Sequence, residues 1–476
     1  MAETVQNITQ ALAKNFRFTP TPGQNRLFML LEEFLEDEDD RCIFVLKGFA
    51  GTGKTTVLST LMKVLPKFGW KSVLLAPTGR AAKIMSNYSG KKSQTIHRKI
   101  YKQVEDAHSG NLVFKRQPNT SEGTLFIVDE ASMISDTREF GQNGLLHDLI
   151  NFVFEGEENK LLLIGDEAQL PPVGMSLSPA LDINHLQDFY HSKVFTQTLT
   201  EVMRQQQASG ILLNATTLRE QLTEKNPDIL LNTKGFKDFF NMSGDRIEDG
   251  LQYAYNKYGQ ENTILITRSN RNAVQYNRLI RNRINGSEAE LDKGDILMIV
   301  KNNYSVLRED SEAGFIANGE FAQVRRLGRE EEMHGFRFQN VTLTLVDYPE
   351  EPEFDTMIIL DTLYSNSPSL SIEENKRLYE SVMQDYFWVK TKKERKKRIR
   401  EDKYLNALQV KFAYALTCHK SQGGQWDAVF IDQLYLQNNE IDHETLRWLY
   451  TAITRGISEV FLVNFNPKFF GIKTED

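Results

Sequence analysis

Residues Gly48, Phe49, Ala50, Gly51, Thr52, Gly53, Lys54 and Thr55 fit the spacing G-x-x-x-x-G-K-[ST]. Glycines at 51 and 53 let backbone N–H groups turn inward onto an anion. The helix that follows adds its positive end. Lys54 can reach β and γ phosphates, and the Thr55 hydroxyl can ligate Mg²⁺. The chemistry is nucleoside triphosphate binding with Mg²⁺. Phe126-Ile127-Val128-Asp129-Glu130 supplies the other half of such a site. Asp129 ends an apolar run and can hold the metal's water shell. Glu130 can act as general base on the attacking water.

These groups need strand ends to carry them. Apolar runs at Cys42–Leu46, Ser72–Ala76, Leu125–Val128 and Lys160–Ile164 alternate with helical stretches. That is the pattern of a parallel sheet with helices on its faces. A second set, Thr263–Thr267, Ile296–Val300, Phe412–Leu416, Ala428–Ile431 and Val460–Val463, predicts a second α/β domain. Between the two sets, Gln323–Arg326, Val341–Val346 and Met357–Leu360 read as a β-rich insertion of small-barrel type. Ile372–Asn406 reads as helical and strongly charged.

Composition bounds the partners. The chain has 476 residues, 40% hydrophobic and 25% charged, which excludes disordered and fibrous classes. A balance of 57 Lys and Arg against 64 Asp and Glu gives −7, so bulk charge does not draw nucleic acid. A local basic groove on an acidic body remains open, because fields are screened within about 10 Å. Lys390–Lys403 holds nine basic residues, readable as a solvated helix with i,i+4 pairs or as a phosphate-contacting arm. Glu32–Asp40, with seven carboxylates, reads as a solvated helix end. Cys42 and Cys418 build neither a disulfide framework nor a cysteine zinc site. No secretory signal and no apolar run of about 20 residues is present. The expectation is a soluble monomer in the reducing cytoplasm of a bacterial or phage-infected cell.

A P-loop alone does not choose among kinases, GTPases and motors. Further motifs, in order along most of the chain, resemble those of superfamily 1 helicases of the RecD-like and Dda-like branch (superfamily 1B). Gln24, in Thr19-Pro-Thr-Pro-Gly-Gln24, resembles the Q motif, whose carboxamide suits an adenine edge. Ala76–Lys83 resembles motif Ia and Thr95–His97 motif Ib. Ile164–Val173 resembles motif III, Leu199–Arg204 motif IV, Thr417–Gly423 motif V and Tyr450–Gly456 motif VI. The resemblance implies that the triphosphate is ATP, that Gln169 links the γ-phosphate to the strand groove and that Arg204 and Arg455 act on the γ-phosphate. Gly423 is expected among the residues at the nucleotide. Pro77, Thr78, His97, Thr417, His419 and Lys420 are expected on single-stranded DNA. Two departures are Gln425, where relatives have an acidic residue, and Met203, where some have an aromatic against adenine.

The implied fold is α/β, with two tandem RecA-like domains. Residues 1–95 and 124–205 would form domain 1A, and 206–320 with 409–476 domain 2A. Residues 96–123 would form a small hairpin insertion, 1B. Residues 321–408 would form an SH3-like insertion, 2B, with the basic helical arm. In the hairpin, Gly110 and Asn111 mark the turn and Phe114 follows on an apolar strand. Phe114 is either a wedge stacking on the last base pair or a residue pinning the hairpin to the core. The implied activity is ATP-dependent 5′→3′ translocation on single-stranded DNA with unwinding at single-strand/duplex junctions. The alternatives are an Upf-like RNA helicase and a nucleic-acid-gated ATPase that displaces proteins without unwinding.

Overall fold

The computed structural model describes residues 7–105, 112–136, 143–203, 209–307, 311, 315–432 and 441–471, with side chains for the same residues except 103–105 and 112–114. Arg204 and the hairpin turn with Gly110 and Asn111 lie outside the described residues.

The chain carries strands β1 (Cys42–Gly48), β2 (Lys71–Ala76), β3 (Ser93–Thr95), β4 (Tyr101–Glu105), β5 (Leu112–Arg116), β6 (Thr124–Val128), β7 (Lys160–Gly165) and β8 (Lys193–Leu199) in its first half. Six of them form one parallel sheet in the order β3-β2-β6-β7-β1-β8. β6 and β7 are buried along their whole length, as strands covered on both faces must be. The covering helices show why they sit there. Leu145–Val153 buries Leu146, Leu149, Ile150 and Val153, one apolar stripe at helical spacing. Because every strand runs the same way, the segments after β1, β2, β6 and β7 all emerge at one edge. Those segments are the P-loop, motif Ia, Asp129-Glu130 and motif III.

The second half carries β9 (Phe239–Met242), β10 (Thr263–Thr267), β11 (Ile296–Ile299), β12 (Phe321–Met333), β13 (Phe336–Leu345), β14 (Phe354–Ile359), β15 (Leu408–Phe412), β16 (Ala415–Thr417), β17 (Trp426–Ile431) and β18 (Gly456–Val463). A second parallel sheet has the order β16-β10-β17-β18-β9. The architecture is α/β with two RecA-like sheets. β4 and β5 form the separate antiparallel hairpin.

A closed barrel, β11-β12-β13-β14-β15, takes up the insertion. It is wider than expected from sequence. Ile296–Val300 was expected in the second parallel sheet, yet β11 pairs antiparallel with β12 and with β15, placing Leu297 opposite Phe412. The run Phe412–Leu416 is divided as well: β15 closes the barrel at Phe412 and β16 returns to the sheet at Ala415. The physical reason is burial on both faces. All four residues of β11 are buried, and the barrel shares one apolar core with the second sheet, so no alternation marks the strand as antiparallel.

Arg281 fixes the root of the barrel. Its guanidinium is fully buried, donates to Asp295 at 3.0 and 2.9 Å, to the Tyr364 hydroxyl at 2.6 Å and to Ser287 at 2.9 Å, and lies over Phe412. Asp295 also accepts from Tyr414 at 2.8 Å. Replacing Arg281 by Ala would leave the buried Asp295 carboxylate without its cation. A destabilisation of about 3–5 kcal/mol is expected, read as a lowered thermal midpoint. An unchanged midpoint would contradict this anchoring.

Candidate active site

The P-loop follows β1 and turns as its glycines allow. Gly51 and Gly53 have φ of +76° and +85°, in the left-handed region. A Cβ on Gly53 would lie 2.7 Å from Gln24 Nε2 and 2.8 Å from Met203 Sδ. One on Gly48 would lie 2.9 Å from Lys54 Cγ. Lys54 opens the helix Lys54–Val64, with Thr55 exposed on its first turn. The Lys54 ammonium donates to Gly48 O and, at 3.1 Å, to Phe49 O, inside the cradle.

Gln24 is wholly buried beside this loop. Its Nε2 donates to Thr52 O at 3.0 Å, and its Oε1 accepts from Thr21 N at 3.0 Å in a capping box that starts the helix Pro22–Glu36. The carboxamide thus ties that helix to the P-loop.

Asp129 and Glu130 leave the end of β6. Asp129 accepts from the Tyr88 hydroxyl through one oxygen and from Glu130 N, at 2.9 Å, through the other. Glu130 has φ +54°, a left-handed conformation uncommon outside glycine. Its carboxylate stands 3.8 Å from Arg455 Nη1. Burial pushes its pKa up. Arg455 opposes that rise, Asp129 adds to it, and Lys54 again opposes it. Gln169 is 6% exposed, and its Oε1 has no hydrogen-bond partner among the described residues. A lysine, two carboxylates and an arginine gathered here fit a site for a triphosphate, its metal and an attacking water, and the unpartnered Gln169 acceptor lies on motif III, which joins the same seam.

Arg455 comes from the other lobe, and it does not cross alone. The Tyr450 hydroxyl accepts from Ala50 N at 2.9 Å and donates to Asp166 Oδ2 at 2.6 Å. Asp166 lies 4.0 Å from Lys54 Nζ. Leu170 N donates to Thr451 Oγ1 at 2.8 Å, and Gln422 Nε2 donates to Leu170 O at 2.6 Å. Arg219 stacks over Phe49 of the P-loop, 4.4 Å from the ring centre. Motifs I, II and III therefore meet motifs V and VI across one buried polar seam. Sequence reasoning missed Asp166, Tyr450 and Tyr88. Asp166 had a signal, since it follows β7 as Asp129 follows β6. For the tyrosines nothing local showed a bonding role, because their partners are distant in the chain.

Residues 22–234 match the family model described as AAA domain, and residues 412–463 match the UvrD-like helicase C-terminal domain. An uncharacterized protein (R530) of Acanthamoeba polyphaga mimivirus is 25% identical over 89% of this chain and 96% of its own length. The ATP-dependent DNA helicase dda of Enterobacteria phage T4 is 27% identical over 59% of this chain and 60% of its own. The ATP-dependent RecD2 DNA helicase of Deinococcus radiodurans is 32% identical over 39% of this chain and 24% of its own. These matches support the resemblance to superfamily 1B helicases. The chain's match spans less than two thirds of the length of the two named helicases.

The residues expected on the strand in a superfamily 1B helicase fall at the ends of β2, β3 and β16. Pro77 and Thr78 follow β2, and the Thr78 hydroxyl caps the next helix by accepting from Ala81 N at 3.2 Å. Thr417 ends β16 at the N-cap position of the helix Cys418–Ser421, without a side-chain cap bond. His419 is exposed, while Lys420 donates to Asn318 Oδ1 at 2.7 Å. His97 is packed between Tyr101 and Phe315, and burial draws its pKa down to about 4. It is therefore neutral at pH 7 and offers a ring face or an N–H, not a charge. Gly423, expected at the nucleotide, has φ +73°, and a Cβ there would meet Thr78 Oγ1 at 3.0 Å, Ala81 and Met133. The left-handed turn after the helix Cys418–Ser421 thus packs against the start of the motif Ia helix and against Met133. Phe114 lies opposite Gln103 in the β4–β5 ladder, and its side chain is outside the described residues. Arg204 is outside them entirely.

Tyr450→Phe would leave the Ala50 N–H without its acceptor and Asp166 Oδ2 without its hydroxyl donor, both in the seam. A loss of about 1–3 kcal/mol is expected, read as faster amide exchange in the P-loop with the distant barrel unchanged. Unaltered exchange at residues 48–54 would contradict the seam's role.

Proposed function

We propose that this chain is an ATP-dependent DNA helicase that moves 5′→3′ on single-stranded DNA and opens duplex at single-strand/duplex junctions. The observation that carries the reading is Arg455 of the second lobe standing 3.8 Å from Glu130 of the first, beside the P-loop. The hydrolytic centre is complete only with both lobes together, so turnover is tied to lobe movement.

Lys54 holds the β and γ phosphates, and Gln169 and Glu130 position the water, with Glu130 taking its proton. Thr55 and Asp129 would hold Mg²⁺, which supplies charge neutralisation at the phosphates. Arg455, with Arg204, answers the charge that builds on the transferring phosphoryl group. The bonds from Leu170 to Thr451 and Gln422 then relate the nucleotide to motif V, whose Thr417, His419 and Lys420 line the groove with Pro77, Thr78 and His97. The 5′→3′ direction rests on likeness to the Dda and RecD2 helicases. The β4–β5 hairpin stands as the duplex-splitting pin, with Phe114 as its wedge.

Strand displacement on 5′-tailed and 3′-tailed duplexes tests the reading. Displacement with ATP from the 5′ tail only is expected, and Lys54→Ala abolishes it while single-strand binding persists. Displacement from the 3′ tail only, or of RNA in preference to DNA, would overturn it, as would ATP turnover without displacement. Phe114→Ala is expected to cut displacement at least several-fold while leaving oligonucleotide-stimulated hydrolysis in place. Undiminished displacement would return Phe114 to a packing role.

A further inference from the structure

The insertion between β14 and β15 carries two helices, Ile372–Asp385 and Lys392–Arg400, joined by residues 386–391. That joint presents Phe387 at 58% and Trp388 at 67% exposure. Arg395 fixes the joint from below, donating to Phe387 O at 3.2 Å and to Val389 O at 2.8 Å. Arg395 also lies over the Phe387 ring, 5.6 Å from its centre, and both rings stay open to solvent. Arg398 lies over the Trp388 ring at 5.0 Å and pairs with Glu394 at 3.0 Å. Lys390, Lys392, Lys393 and Lys397 are exposed in the same stretch of chain, and Glu394 is held by Arg398 instead of by any of them.

Charge names the ligand class. Residues 390–403 hold nine basic and three acidic residues, leaving 48 basic against 61 acidic in the rest of the chain. A concentrated positive element on an acidic body attracts a polyanion to that element selectively. Exposed aromatic rings add a second requirement, because a duplex hides its base faces and a single strand offers them. We propose that the joint 386–391 and the helix Lys392–Arg400 form a second single-stranded nucleic-acid site, separate from the groove over the two lobes. Bases stack on Trp388 and Phe387, and phosphates lie along Lys390, Lys392, Lys393 and Lys397. The proposal deepens the helicase reading and rests on it for the presence of such strands.

The test uses the full chain and oligodeoxythymidylates of two lengths, one short enough for the lobe groove alone and one long enough to continue beyond it. The long oligonucleotide is expected to quench Trp388 emission. Joint replacement of Lys390, Lys392, Lys393 and Lys397 by Gln is expected to lower the slope of log affinity against log salt by about 0.7 for each phosphate no longer neutralised. Phe387→Ala with Trp388→Ala weakens long-oligonucleotide binding several-fold. Both variants should keep short-oligonucleotide binding and the wild-type melting midpoint. Unchanged slope and unchanged Trp388 emission would overturn the site, as would quenching by blunt duplex alone, by acidic lipid vesicles alone or by an acidic peptide alone. Hydrolysis stimulated by the short oligonucleotide separates this failure from failure of the helicase reading. If stimulation persists and quenching is absent, only the second site falls. If quenching occurs without stimulation, the second site stands and the motor reading falls.

Discussion

One tyrosine hydroxyl sits where the two lobes and the nucleotide cradle meet. Tyr450 accepts from the P-loop amide of Ala50 and donates to Asp166, which itself stands beside Lys54. Tyr450 and Asp166 are cut off from bulk water, where an unpaired hydroxyl or carboxylate is disfavoured by a few kcal/mol. The lobes are thereby held in one relative placement. Arg455 then reaches Glu130 because Tyr450 and Thr451, in the helix that ends just before it, are already fixed to the first lobe. Both parallel sheets deliver their working residues at the same kind of edge, so the seam between those edges is the place where two sets of strand ends can cooperate.

The barrel is bound into the same design from the other side. Arg281 and Asp295 root it in the second lobe, while its far side grips the first. Lys83 donates to Val346 O at 2.8 Å with Asp347 3.6 Å away, and Arg98 donates to Ser311 O at 3.1 Å. Tyr348 and Glu320 press against Gly79, where a Cβ would come within 3.0 Å of either side chain. Glu320 is buried there, and its carboxyl is pushed up to about 8. Motif Ia is thus packed against the barrel and its flanking residues.

Much of this was readable in the sequence because its causes are local. A P-loop is a short arrangement of glycines, a lysine and a threonine, and its flanking strand and helix follow from composition. Asp129 and Glu130 were readable for the same reason. Assignments that depended on distant partners fared differently. β11 consists of Ile, Leu, Met and Ile, a run that suits a central parallel strand and a doubly buried barrel strand equally. Gln24, expected to face adenine, also closes a helix cap and bonds the P-loop, partners that only the folded chain brings to it. Gly423, expected at the nucleotide, has a left-handed backbone whose turn also packs on the start of the motif Ia helix, a contact set by residues about 340 positions earlier in the chain. Tyr450 opened the motif VI resemblance, yet nothing local showed its bonding role, since its partners Ala50 and Asp166 lie 400 and 284 residues away in the chain. In the basic segment, the sequence left two readings open. The structure shows Arg395 holding the joint and Arg398 paired with Glu394, while neighbouring lysines stay exposed beside two rings.

The account stands on a shared seam that ties the triphosphate to a strand lying across both lobes. The most direct measurement is the steady-state rate of ATP hydrolysis by the full chain, with and without a saturating single-stranded oligodeoxynucleotide. The seam predicts a many-fold rise in rate when the strand is present, and loss of that rise in Arg455→Ala. An identical rate with and without the strand would contradict the account at its centre.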